Sequence, residues 1–196
     1  MFSKAAQAHK PPTADQPFLM PGSRDQNPLH TDSLKNGLMN TLLHMAVLHE
    51  QAQFKVSRSN PQTFVDEVVR GLPGLSSDHR LIASLEEQLP LLAEASPNPF
   101  LEALERQLEG DATIRPIFDE YPGLITPTTY HCGLLWSLEA LAWLPDFLQR
   151  AALCLAKLAA LDPGGKLTNR PINSLRSIFL SWSPHCCQHS TSARDS

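Results

Sequence analysis

The chain of 196 residues has no apolar run long enough to cross a membrane, because Glu, Asp, Arg or Lys interrupts each long hydrophobic patch. Its opening stretch, MFSKAAQAHKPPTADQPF, lacks the apolar core of a secretory signal. Without such a signal, the four cysteines, Cys132, Cys154, Cys186 and Cys187, read as free thiols in a reducing cytoplasm rather than as a disulfide framework. Charge is sparse at 18%, and the formal net charge is -4. No positive cluster stands out; Lys166, Arg170 and Arg176 come nearest and are spread along the chain. That counts against a general electrostatic grip on nucleic acid, which needs a concentrated basic surface. Clean alternation of apolar and polar residues is also missing, so strands have no support.

Leucine and alanine at helical spacing are what remain. The hydrophobic fraction of 42% suffices for a buried core in a chain of this length. Residues 1–30 stand apart: Pro11, Pro12, Pro17, Pro21 and Pro28 exclude regular structure, and a flexible leader is expected. From residue 31 the pattern turns amphipathic. Thr31, Asp32 or Ser33 can cap a first helix with Leu34, Leu38, Leu42, Met45 and Ala46 on one face. Asn60 and Pro61 open a second, striped by Phe64, Val65, Val68 and Val69 and ended by Gly71. Leu81, Ile82, Leu85 and Leu89 predict a third helix, kinked at Pro90 and continued by Leu91 and Leu92.

The spacing of Phe100, Leu101, Leu104 and Leu108 predicts another helix over 97–108, closed by Gly110. A proline-rich connector, 111–129, carries Ile117, Phe118 and Leu124, which are expected to dock on the helices. Beyond it, Leu134, Leu135, Leu138, Leu141 and Ala142 stripe one helix. Phe147, Leu148, Ala151, Leu155, Leu158 and Ala159 stripe the next, which opens at Pro145. So short a link predicts an antiparallel hairpin. Asp162-Pro163-Gly164-Gly165 breaks the second helix, and a final short helix presents Ile172, Leu175, Ile178, Phe179 and Trp182.

Few stretches look like chemistry. His185 and His189 have the H-x-x-x-H spacing of a zinc site, but Cys186 and Cys187 are adjacent and their side chains diverge. The segment has no apolar stripe to hold a helix, so it reads as a solvated tail over 183–196. His131 and Cys132 suggest a base beside a thiol. Neighbours on a helix point about 100° apart, so one cannot serve the other; Cys132 and Cys154 then read as buried small hydrophobes. Gly164, Gly165, Lys166 and Thr168 echo a phosphate loop, yet Leu167 separates Lys166 from Thr168 and a helix precedes them. The simpler account is a helix end with glycines at positive φ, tied down by Asn169, Arg170 and Asn173. Glu86, Glu87, Glu102, Glu105, Asp119 and Glu120 read as solvated surface. Trp136 and Trp143 share a helical face, for interhelical packing or as a ligand platform.

The run from Gly133 to Trp182 resembles a segment of long bacterial multidomain proteins, most of them uncharacterised. It carries GLLWSLEALAW (133–143), DPGG (162–165), NRPINSL (169–175) and IFLSW (178–182). Weaker likeness reaches back to about Ser33. The resemblance implies a helical scaffold between an upstream effector or nucleotide-binding part and further helical repeats, in proteins some of which are of signalling or phage-defence type. It also implies that the pattern runs on past residue 182, where this chain departs; the tail then reads as that of a truncated or frameshifted fragment.

The expectation is an all-α fold of stacked antiparallel helical hairpins over 31–182, with a possible division near 111–129 and disordered ends. Function is expected to be that of a non-enzymatic scaffold or interaction module, cytoplasmic and off the membrane. No catalytic residue, metal ligand or cofactor is assigned. The expected partner is a protein or the missing remainder of a larger chain. The alternatives are a small cytosolic metal-binding protein or enzyme using His131, Cys132, Cys154 and the tail, and a helical DNA-binding regulator, which the acidic balance disfavours.

Overall fold

The computed structural model describes residues 32–48, 60–110, 112–120, 129–165 and 169–181, and every regular element among them is helical. Among the described residues eight α-helices appear: α1 (Asp32–Leu48), α2 (Pro61–Arg70), α3 (His79–Ser84), α4 (Leu89–Ala95), α5 (Pro97–Gln107), α6 (Cys132–Ala142), α7 (Pro145–Leu161) and α8 (Pro171–Ser181). Two 3₁₀ turns, Glu86–Gln88 and Arg115–Phe118, lie between them. The expected leader, the tail, Leu124 and Trp182 lie outside the described residues.

Local chemistry explains most boundaries. The Asn60 side chain accepts from Gln62 N–H at 3.0 Å, and Pro61 then begins α2 where a missing N–H costs nothing. Gly71 ends α2 in right-handed conformation, donating its N–H to Glu67 at 2.9 Å. Asp78 caps α3 through Arg80 N–H at 2.9 Å. The kink expected at Pro90 is instead a full break. The chain turns at Leu85, passes through one 3₁₀ turn, and uses Pro90 within the first turn of α4. Proline at that position clashes with no preceding helical carbonyl, so starting afresh relieves what a kink would strain.

A single leucine-rich core runs through the molecule, including Val65, Leu89, Leu92, Leu101, Leu134, Leu138, Leu155 and Leu158. α4 packs against both α1 and α6; α5 contacts α2 and α7; α8 rests on α6 and α7. Ile117 and Phe118 of the connector are buried in the same core, as the sequence pattern predicts, and Ile114 joins them there. Two stripes are rotated from expectation. In α1 the buried face is Lys35, Met39, Leu42 and Ala46, with Leu34 exposed. Lys35 tucks its aliphatic stem inward and reaches Asp32 at 3.5 Å. In α8, Pro171, Ser174 and Ile178 face inward, whereas Ile172 and Phe179 face out.

Polar side chains bind the helices laterally. Asp66 of α2 accepts from Ser96 Oγ at 2.6 Å and from Gln62 Nε2 at 2.9 Å, and Gln62 also donates to the Ala95 carbonyl. Arg150 of α7 holds Glu105 of α5 through two bonds of 2.8 and 2.9 Å.

Candidate functional site

The residues that look most like chemistry converge at one end of the α6–α7 pair. There α6 begins, α7 ends and α8 begins, and Asn169, just ahead of α8, reaches the α6 N-terminus. Asp162 stands directly after α7 and makes an ion pair with Arg170, just ahead of α8; both side chains are largely sheltered from solvent. Asp162 Oδ1 also accepts from Gly164 N–H at 3.0 Å. Gly164 and Gly165 have φ of +83° and +146°, so the loop depends on glycine's freedom at both. A Cβ on Gly165 would also press on Arg170 Nη2 and Glu120 Oε1.

His131 and Cys132 lie at the start of α6 and both reach the same loop residue. The His131 ring is buried, 5.1 Å from that of Phe118, with Nε2 2.7 Å from the Asn169 carbonyl oxygen. A carbonyl only accepts, so Nε2 carries the hydrogen and Nδ1 the lone pair. Nδ1 is buried with no partner among the described residues. Burial holds the imidazole below its ordinary titration range, which keeps it neutral. Asn169 Nδ2 donates to Cys132 Sγ at 3.4 Å. Histidine and thiol are thus each engaged by Asn169 rather than by each other. The other described thiol, Cys154, is buried and pushed up to about 12 by desolvation, which keeps it protonated and unreactive.

Sequence inspection missed Glu86. It reads as a surface carboxylate, yet it is half-buried against the first turn of α6, with the N–H groups of Gly133 and Cys132 facing it. A carboxylate at a helix N-terminus is ordinarily favoured as the anion. Here burial dominates and raises its pKa to about 7. The close approach requires Gly133, because a Cβ there would overlap the Glu86 carbonyl oxygen. Nothing local in the sequence marks this pairing, since the two residues are distant in the chain. The glycine inside a leucine-rich helix is the one signal of a close contact.

Trp136 and Trp143 are not buried between helices: they stand on the outer face of α6, 56% and 52% exposed. A shallow depression of about 120 Å³ lies beside Trp136, between α6 and the start of α8, lined by Glu139, Asn169, Arg170 and Asn173 among others. It is too small to hold a drug-sized ligand. Among the described residues no three of His, Cys, Asp and Glu are grouped to hold a metal ion, and His185, Cys186, Cys187 and His189 lie outside them. No described helix is long and apolar enough to cross a membrane. The chain matches no protein-family model, and neither a curated protein nor a solved structure is similar to it.

Proposed function

We propose that the chain is a non-enzymatic α-helical scaffold or protein-interaction module, of the kind that forms a helical segment within long bacterial multidomain proteins. The observation that carries this reading is the apolar surface on α6 and α8. Trp136 and Trp143 crown α6, and Phe179 and Leu180 stand 57% and 71% exposed on α8. Large aromatic side chains left in water mark interaction surfaces far more often than they mark catalytic ones. The polar groups of the α6–α8 junction support the same reading. Asp162, Arg170, His131, Cys132 and Asn169 hold one another, and that arrangement fixes a loop rather than presenting a nucleophile to an open cleft.

A photo-crosslinking amino acid tests the reading. It is placed at position 143, at 179 or at the exposed polar position 109, and the chain is irradiated in bacterial cells. A discrete protein adduct is expected from 143 or 179 and not from 109. Adducts no more frequent at 143 and 179 than at 109 would remove the reading.

A further inference from the structure

The helices fall into two rows. α1, α4, α6 and α8 pack each on the next, and so do α2, α5 and α7, with α1–α2, α4–α5 and α6–α7 also touching. The second row ends at α7, so the position beside both α7 and α8 holds no helix among the described residues. Both walls of that position suit a helix. On α7, Arg150 points to α5 through Glu105, and the small side chains of Ala156 and Ala159 lie on the side turned away. On α8, Asn173 borders the depression beside α6, while Ile172 and Phe179, seven apart, occupy the other flank and are exposed.

Charge selects the occupant. Arg176 sits midway between Ile172 and Phe179, is exposed, and makes no ion pair among the described residues. A second copy docking antiparallel through the same flank, about a two-fold axis at the middle of the Ile172–Phe179 stripe, would set Arg176 against its own image, a like-charge contact that opposes pairing. Residues 183–196 of this chain, SPHCCQHSTSARDS, offer no apolar helical stripe. We infer that the α7–α8 edge takes an amphipathic helix of a different polypeptide, which lays an apolar stripe on Ile172 and Phe179 and presents a carboxylate to Arg176. This inference rests on the interaction-module reading and adds the place and the chemistry of the partner.

Two fluorescein-labelled peptides test it on the full chain by anisotropy. Both are amphipathic leucine-striped helices of about five turns; one carries Glu at the middle of the stripe's edge and the other Lys. The Glu peptide is expected to bind about tenfold more tightly than the Lys peptide, and Phe179→Asp to weaken it by about tenfold or more. Arg176→Glu is expected to reverse the preference between the peptides. Both substitutions are on the surface, and unchanged circular dichroism melts show that the variants fold. Equal binding of the two peptides, or binding of neither, would overturn the inference. So would Glu-peptide binding that survives Phe179→Asp; if Trp143→Ala then abolishes it, the docking face is α6, and the interaction-module reading stands while this one falls. A concentration-dependent dimer in sedimentation that Phe179→Asp dissociates would also overturn it, by making a second copy the occupant.

Discussion

Glu86→Gln is expected to stabilise the protein at alkaline pH and to change little at acid pH. The folded carboxyl titrates at about 7 in place of its ordinary 4.5, so ionisation is penalised by folding. The sign follows from linkage. A carboxyl with a raised folded pKa binds more protons in the folded state than in the unfolded one between 4.5 and about 7. Stability therefore falls as pH rises through that window. The full shift corresponds to about 3 kcal/mol at high pH. Glu86 is only half-buried, and solvent screening brings the expected effect down to about 1 kcal/mol. The amide introduced by the substitution keeps an oxygen to accept from the first N–H groups of α6, so the cap is largely retained. Neighbouring Glu87 adds repulsion to the charged form, and its effect disappears with the same substitution. Urea unfolding of wild type and variant at pH 5 and pH 8.5 reads the difference directly. A variant equally stable to wild type at both values, or less stable at pH 8.5, would refute the burial argument.

Other perturbations probe the same junction and the core. Gly133→Ala is expected to cost about 3 kcal/mol, because the added methyl overlaps backbone rather than a movable side chain; a thermal melt unchanged from wild type would refute this. Arg170→Met leaves Asp162 sheltered without its partner and is expected to cost about 3 kcal/mol, whereas adding Asp162→Asn to it restores part of that loss, measured as a double-mutant cycle in urea. Leu138→Ala, at a fully buried position, is expected to cost about 3 kcal/mol, and Leu180→Ala close to nothing, in the same assay. For His131 the sign opposes that of Glu86: its folded pKa is lowered, so its contribution is complete above about 6.5 and is lost as pH falls. His131→Phe should therefore flatten the acid limb of the stability profile below about pH 6.5, read by the same urea titration.

Helix class and most core leucines were legible because a 3.6-residue period repeats over every long segment. Leu134, Leu138, Leu141, Leu155 and Leu158 need only that period to be placed inside. The same period misplaced α1 and α8, where apolar residues occupy more of the circumference than one face can bury. In α1 the candidate stripe began with Leu34 and Leu38, and the core took Lys35 and Met39 in their place, while Leu42 and Ala46 are buried as expected. Which stripe turns inward depends on what the neighbouring helices offer, and α4 lies many residues away in sequence. Asp162, Gly164, Gly165, Asn169 and Arg170 stood out as a group through turn chemistry and a resemblance, and the structure brings them together. Their contacts with His131 and Cys132 bridge nearly forty residues and left no local trace. Glu86 was misread for the same reason: its neighbour Glu87 is exposed, and only the distant Gly133 distinguishes the two.

The position of α8 follows from the junction rather than from α8 itself. Helices this short have little stability of their own, and among its described side chains α8 buries only Pro171, Ser174 and Ile178 fully. What fixes its start is the Asp162–Arg170 pair, the Asn169 carbonyl on His131 and the Asn169 amide on Cys132, all within the turn that leads into it. Direction set at that end determines where Ile172, Arg176 and Phe179 stand. The proposed docking edge, held in this way, would be ordered before a partner arrives, so the conformational cost of association would fall mainly on the incoming helix. The histidine, thiol and guanidinium that look like catalytic groups in the sequence are, on this view, the means by which a binding surface is kept in register.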